Sequence, residues 1–312
     1  MNNKKTTVIA NFNCTFGETN KPMLTYFDKI IYPAFTENSF RKSKDDTYFF
    51  KDTKVVKLDN GRLILQGIYV RRTKLEVKTE YNTVENKIEY TNKFYNSAPI
   101  SIFTLFLDNH RLLYTTNQKG SPNIRSFGAT MKDIVKQVII NYNEGKIKEK
   151  RIPIPQINIV DIPSNKGIEE KFSLVKKIRK LRFKFFNLNG DIGSSDAFDW
   201  MYDRLDSYGS KRAEMSFNQP QNVNKVKNDI KEVKGFAELN LEVDFKNGGR
   251  GSINNNTLSE KFELNISEDE YIENVSAVVV ETLQNNSLVS EIGQENKTIF
   301  ENNKNQIEKF MK

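Results

Sequence analysis

A β-rich stretch over 46–95, in which strand-forming runs are separated by turn signals, restricts the fold more than any other feature of the chain. Asp59-Asn60-Gly61 supplies a hairpin signal, and a second polar turn falls at 82–86. The predicted strands are 47–51, 54–58, 62–81 and 87–95. Such a chain must build an antiparallel sheet.

Helical spacing of apolar residues alternates with further strands in the remainder of the chain. The predicted helices are 20–33, 126–142, 195–207, 220–234 and two C-terminal helices, from 268 through 283 and over 288–310. The further strands are 100–107, 111–115, 152–162, 180–187 and a long hairpin of 236–245 with 258–266. A polar, charged segment at 143–151 is the best domain boundary. We predict an α+β protein, mostly antiparallel sheets with packed helices, with a β-rich domain at 1–145 and a basic α+β domain at 150–312.

The chain holds a single cysteine, Cys14, and a single histidine. One cysteine forms no internal disulfide, and these two side chains are too few for a zinc site. The glycine-rich segments match no phosphate-binding motif, so the sequence implies no metal, no cofactor and no catalytic residue. No apolar run approaches the roughly 18 residues of a membrane span, and the opening residues do not form a signal peptide. We expect a cytoplasmic protein without membrane insertion.

Charge is distributed unevenly along the chain. Lys and Arg number 48 against 40 Asp and Glu, but residues 257–312 alone carry eleven acidic and five basic side chains. Residues 1–256 therefore carry a net charge of +14. A body this positive attracts polyanions, and nucleic acid is the first partner to consider.

Basic residues cluster in a strand of the first predicted sheet, in the strand near 180, in the helix over 220–234 and at a glycine-rich hairpin tip. Positive side chains with reach match phosphates without reading base sequence. The predicted nucleic-acid contacts are Arg71, Arg72, Lys74, Lys176, Lys177, Arg179, Lys180, Arg182, Lys184, Lys225, Lys227, Lys231 and Arg250.

Three other interpretations fit the same residues. Asp244-Phe245-Lys246 resembles the acid-x-Lys end of a restriction-type nuclease strand, where carboxylates hold Mg²⁺ and a lysine positions water. A Mg²⁺-dependent nuclease or RNase toxin is therefore the enzymatic alternative. The basic face could instead meet an acidic partner protein or the chain's own acidic tail. The simplest alternative is a lysine-rich surface that is only solvated.

The order of elements carries a family resemblance. It rests on an apolar strand and turn over 102–114, a strand of alternating isoleucines at 152–162, the basic strand at 180–186, the helix 195–207 and a lysine-rich helix at 223–234. This arrangement resembles the RexA-like phage-exclusion proteins and, more loosely, the DNA-binding subunit of the Kiwa phage-defence system. The resemblance implies a homodimeric, sequence-nonspecific DNA binder in antiphage defence, without catalysis of its own and signalling to an effector partner. The residues alone leave DNA and RNA open, and the resemblance favours DNA.

Overall fold

The computed structural model describes residues 4–190, 196–266, 270 and 272–311. Helices and antiparallel sheets are mixed in it, which confirms the predicted α+β class. The strands are β1 (Lys4–Phe16), β2 (Lys21–Pro22), β3 (Phe40–Ser43), β4 (Asp46–Lys57), β5 (Leu63–Asn82), β6 (Lys87–Ser97), β7 (Ile100–Phe106), β8 (Arg111–Thr116), β9 (Pro155–Asp161), β10 (Val175–Phe186), β11 (Arg212–Asn218), β12 (Ala237–Phe245), β13 (Arg250–Asn254) and β14 (Phe262–Asn265). The helices are α1 (Tyr32–Thr36), α2 (Ile124–Asn143), α3 (Asn165–Ser173), α4 (Asp196–Ser207), α5 (Val223–Val233), α6 (Asn255–Leu258), α7 (Ile272–Leu283), α8 (Ser287–Ser290) and α9 (Gln294–Glu308).

Ten strands form a large curled sheet in the order β14-β1-β8-β7-β5-β4-β3, with β2 and β9 also pairing with β1 and β6 with β5. The first half of β1 lies between β14 and β8, and its second half pairs with β9. Strands from beyond residue 150 thus complete a sheet begun by the first residues. The division into two domains stays a prediction.

Both faces of the central strands are buried. On β7, Ile102 belongs to the same buried cluster as Val279 of α7 on one side of the sheet, and Phe103 packs against Phe127 of α2 on the other, with ring centroids 5.3 Å apart. This explains why 102–107 reads as a nearly continuous apolar run: a strand covered on both faces has no solvent side.

Phe127, in the first turn of α2, fixes that helix to the sheet. Its side chain is fully buried. Six aromatic rings have centroids within 6.5 Å of its own, those of Phe12, Phe35, Phe50, Tyr69, Phe103 and Tyr114. The N-terminal end of α2 is therefore held by close aromatic packing.

A second sheet of four strands has the order β11-β10-β12-β13. Leu181 and Phe183 of β10 form a core with α4 and α5 on one face of this sheet. The opposite face carries polar side chains and borders a cleft against α2 and β9. One face of the small sheet is thus covered by helices, and the other borders the cleft.

Beyond residue 72, β5 pairs only with β6, and the two strands leave the large sheet as a hairpin that we call the arm (residues 73–97). Leu75 lies opposite Tyr95, and Tyr81 lies opposite Ile88. These four side chains and Tyr90 are 50–92% exposed. The arm therefore presents large apolar side chains to solvent.

The predicted return strand of the C-terminal hairpin is wrong. In the hairpin, β12 is followed by and pairs with the short strand β13. The segment predicted to return along β12 contains β14, which pairs with β1. Asn254 ends β13 because its side chain accepts from the Thr257 backbone N–H while Thr257 Oγ1 accepts from the Asn254 N–H, which starts α6. The chain then crosses to the large sheet.

Smaller differences concern helix bounds. The predicted helix 20–33 is divided: single turns of 3-10 and π helix cover residues 23–31, and α1 follows them. Pro33 lies in the first turn of α1, where a backbone N–H is not needed for a helical hydrogen bond. Helix α3 was not predicted. The last predicted helix is split into α8 and α9, and residues 195, 268 and 269, which begin two predicted helices, lie outside the described residues.

Candidate nucleic-acid interface

The basic strand predicted near residue 180 is β10, and its side chains alternate between the faces of the small sheet. Leu181 is buried in the core, whereas Arg182 and Lys184 line the cleft. Arg182 Nε lies 2.8 Å from Glu214 Oε1, and Lys184 Nζ lies 2.8 Å from Glu238 Oε2. This face is a set of paired opposite charges rather than a continuous positive surface.

Arg179 and Arg250 come together at a carboxylate. Arg179 Nε lies 2.6 Å and Arg250 Nε 3.6 Å from Asp244 Oδ1. The hydrogen bond from Arg179 holds the pKa of Asp244 below its usual value. On the same strand, Lys177 Nζ donates to Gln219 Oε1 at 3.2 Å, and Lys176 is exposed and Lys180 half-buried.

This arrangement gives the nuclease alternative little support. Asp244, its proposed metal ligand, is engaged by two guanidinium groups. Among the residues that the structure describes, no three His, Cys, Asp or Glu side chains are placed to hold a metal ion together.

The lysines of α5 lie on the other side of the small sheet. Lys225 Nζ is 2.8 Å from Asp229 Oδ1, one helical turn further on. Lys227 and Lys231 both form ion pairs with Glu169 of α3. Because α5 packs on the core face, its basic side chains do not join those of Arg182 and Lys184.

The third predicted stripe belongs to the large sheet. Arg71 Nε lies 2.8 Å from Asp46 Oδ2, Arg72 Nη2 donates to Thr47 Oγ1 at 3.5 Å, and Lys74 is exposed on the arm. Eight of the thirteen predicted contacts thus form ion pairs with described carboxylates. The predicted set is spread over two sheets and is largely neutralised.

A different set of cations lies on α2, where the sequence analysis identified only the apolar side. Arg125, Lys132 and Lys136 are exposed, and at 100° per residue they fall within about 20° of one line along the helix. That line faces away from the buried Phe127 and Ile134. The same periodicity that predicted the helix also defines its outer face, so this set could have been found from the sequence.

Further exposed cations lie in the segment after α2. Lys148, Lys150 and Arg151 are exposed there, and paired hydrogen bonds between Asn143 and Ile152, of 2.8 and 2.9 Å, fix this segment to the helix end. Over 124–151 the chain carries seven basic and three acidic residues, a net charge of +4. We call six exposed cations the α2 surface: Arg125, Lys132, Lys136, Lys148, Lys150 and Arg151.

The α2 surface differs from the predicted stripes in its lack of acidic partners. None of its six side chains forms an ion pair with a carboxylate in the described part of the chain. The nearest acid on the helix, Asp133, accepts instead from Gln137 Nε2 at 3.1 Å. Arg151 Nε donates to the Lys146 carbonyl oxygen at 2.9 Å, and Arg125 acts electrostatically on Asp161, so the lysines of the set are the charges most available to an external anion.

Arg125 connects the α2 surface to the cleft beside the small sheet. The cleft has a volume of about 500 Å³. Three cations and three carboxylates line it, so its net charge is zero: Arg125, Arg182, Lys184, Asp161, Glu214 and Glu238. Four asparagines and four apolar residues complete the lining: Asn240, Asn254, Asn255, Asn256, Ile124, Ile159, Val160 and Leu239.

Asp161 is the most buried charged group of the cleft, at 8% exposure. Its Oδ2 accepts from Asn256 Nδ2 at 3.0 Å, whereas Oδ1 is buried and has no hydrogen-bond partner among the described residues. Burial raises the pKa of this carboxyl against the opposing effects of Asn256, Arg125 and Lys261. Buried acceptors without a hydrogen-bond partner are uncommon in folded proteins, which sets Asp161 apart from the paired carboxylates Glu214 and Glu238 of the same cleft.

Comparison with known proteins adds no family assignment, since no family model matches the chain and no curated protein is significantly similar to it. None of the described helices combines the length and the apolar character needed to cross a membrane.

Proposed function

We propose that this protein binds the phosphate backbone of nucleic acid, DNA in particular, without sequence preference and without catalysis. The observation that carries the proposal is the α2 surface, a run of exposed cations without acidic partners among the described residues. From Arg125 to Lys136 the helix rises about 16 Å, close to the axial rise of five base pairs. Backbone contacts of this type give affinity without base readout.

Fluorescence anisotropy with two unrelated 25-base-pair duplexes, titrated from 50 to 300 mM salt, tests the proposal. Counterion release makes log K fall with log salt by about 0.9 per phosphate contact. The double variant Lys132→Gln/Lys136→Gln should therefore bind both duplexes more weakly and reduce the slope by about 1.8. Glutamine keeps the helix propensity of lysine.

The matched control is Lys225→Gln/Lys227→Gln, which removes two lysines that are already ion-paired on the opposite side of the small sheet. We expect its affinity and salt slope to equal those of the wild type. Salt-insensitive binding, or equal losses in the two double variants, would refute the assignment of the α2 surface.

We further propose that the protein acts as a homodimer joined through the arm. An isolated two-stranded hairpin is only marginally stable in water, and an exposed apolar face of this size is typical of a surface that is buried against a partner. At roughly 200 Å² per large side chain, the exposed parts of its five apolar residues amount to about 600 Å², close to what one partner of a stable dimer buries. The arm carries four lysines and four glutamates, and this neutrality favours a second copy over a polyanion.

Sedimentation equilibrium at 50 µM tests the dimer. Ile88→Ser/Tyr90→Ser should convert the dimer to a monomer, because these side chains are 68% and 92% exposed and carry no core packing. Phe94→Ser, on the other face of the arm, is the control and should leave the dimer intact. A monomeric wild type, or a dimer insensitive to the double variant, contradicts this arrangement.

A role in antiphage defence is the part of the proposal that rests on the resemblance to RexA-like proteins. It places the protein in the cytoplasm, on the DNA of an infecting phage, with a separate effector as partner. Expression with its neighbouring genes should lower the plating efficiency of a sensitive phage, and Lys132→Gln/Lys136→Gln should restore it. Equal plating with and without the gene would remove this role.

A further inference from the structure

We infer that the cleft between the small sheet and α2 binds a single nucleotide, with its unpaired base against Asp161 and its phosphate at the start of α2. The inference deepens the proposed function and rests on it for the class of ligand. It concerns the face of the small sheet that folding leaves open.

The phosphate end is defined by α2. Ile124 and Arg125 line the cleft with the first turn of a 20-residue helix, whose first turn holds no acidic residue. Asn123 Oδ1 already accepts from the Ser126 backbone N–H at 2.9 Å, so the attraction for an anion there comes mainly from the positive end of the helix dipole. Arg125 adds a full positive charge, which also acts electrostatically on the Asp161 carboxylate.

The base end is defined by hydrogen-bonding groups of opposite kinds. Asp161 Oδ1 is a buried acceptor without a donor among the described residues. Asn240 and Asn254 lie directly opposite each other on β12 and β13 and line the same cleft. The Asn254 oxygen caps α6, which leaves its Nδ2 as a donor. A nucleobase edge offers donors and acceptors side by side, which matches such a set.

The remaining lining favours a flat, uncharged group over a cation. The three carboxylates are balanced by three cations, and two of the carboxylates, Glu214 and Glu238, are already paired with Arg182 and Lys184. Ile124 and Ile159 supply apolar edges against which a ring can pack. A volume of about 500 Å³ lies in the range of small-ligand sites.

Isothermal titration calorimetry with AMP, GMP, CMP and UMP, and with ribose 5-phosphate as the base-free probe, tests the inference. At least one nucleotide should bind tenfold or more tightly than ribose 5-phosphate. Asp161→Asn replaces the free acceptor by a donor and should abolish that preference, whereas the affinity for ribose 5-phosphate should stay the same or rise, because a negative charge that acts on Arg125 is removed. Asn240→Ala, at an exposed position of β12, should reduce that preference several-fold.

The matched control is Asp244→Asn, which changes a carboxylate of the same sheet outside the cleft and should bind nucleotides as the wild type does. The inference would be overturned if none of the four nucleotides bound more tightly than ribose 5-phosphate. It would also be overturned if Asp161→Asn and Asn240→Ala both kept the wild-type preference for nucleotides over ribose 5-phosphate. Duplex binding by the α2 surface is measured separately, with Lys132→Gln/Lys136→Gln, so the two proposals fail independently.

Discussion

Replacing Phe127 with alanine should loosen the helix that carries the proposed interface. The side chain is fully buried among six aromatic rings, whose centroids lie 5.3 to 6.5 Å away. Buried Phe→Ala changes cost about 3–5 kcal/mol, and the cost is highest where the surroundings cannot collapse into the cavity. Six rings held by different strands and helices cannot all move inward, so we expect about 4–5 kcal/mol.

Urea denaturation followed by far-UV circular dichroism measures this loss. With an m-value of about 3 kcal/mol/M, the midpoint should fall by about 1.5 M. The only tryptophan, Trp200, lies on α4 against the small sheet. Its fluorescence therefore reports whether that unit unfolds together with the large sheet.

Ile140→Ala is the control on the same helix, because Ile140 is 56% exposed on the outer face. Alanine there should leave the free energy of unfolding within about 0.5 kcal/mol of the wild type. A loss below 1 kcal/mol for Phe127→Ala, or one no larger than for Ile140→Ala, would show that aromatic packing does not anchor α2.

Three further results are expected. Arg62→Met should lower the free energy of unfolding, measured with urea, by about 3–5 kcal/mol. The reason is that Arg62 Nε and Nη2 donate to the largely buried carboxylate of Asp108 at 2.5 and 2.6 Å. A loss below 1 kcal/mol would contradict this. Burial lowers the pKa of His110 from 6.5 to about 3, so between these pH values the unfolded chain takes up a proton that the folded chain does not. The free energy of unfolding should therefore fall by about 1.4 kcal/mol per pH unit below 6.5 because of this group. Urea unfolding at pH 7 and pH 5 should show a smaller fall for His110→Asn than for the wild type, and asparagine tolerates the left-handed backbone at this position. Equal falls in the two proteins would refute the prediction. Burial also raises the pKa of the Cys14 thiol, so Ellman's reagent should label it only in urea, and rapid labelling of the native protein would contradict its position.

Local patterns in the sequence were sufficient for most elements of the fold. The apolar spacing of 126–142 predicted α2 to within two residues at each end, and the β-rich stretch after residue 62 predicted β5. These patterns reflect which side of an element is buried, and that is a property of neighbouring residues. The strand predicted over 258–266 is present only as the four residues of β14, since Leu258 belongs to α6, and it pairs with β1 instead of β12.

The candidate site was less predictable, because charge neutralisation depends on contacts between distant residues. Lys184 and Glu238 are 54 positions apart, and Arg179 and Asp244 are 65 apart. Counting basic residues along the chain could not reveal that these partners face each other across neighbouring strands. The α2 surface was within reach of the sequence, since Lys132 and Lys136 follow the helical period on the face opposite Ile134.

The position of β1 has a consequence for how the protein is made. Its first half must wait for Phe262–Asn265 and its second half for Pro155–Asp161 before their ladders close. During synthesis at about 5–20 residues per second, this strand leaves the ribosome early and keeps open hydrogen-bonding edges for roughly ten seconds or more. Nascent chains of this protein should therefore depend on chaperones until translation has passed β14, and a ribosome stalled before that point should hold an aggregation-prone product.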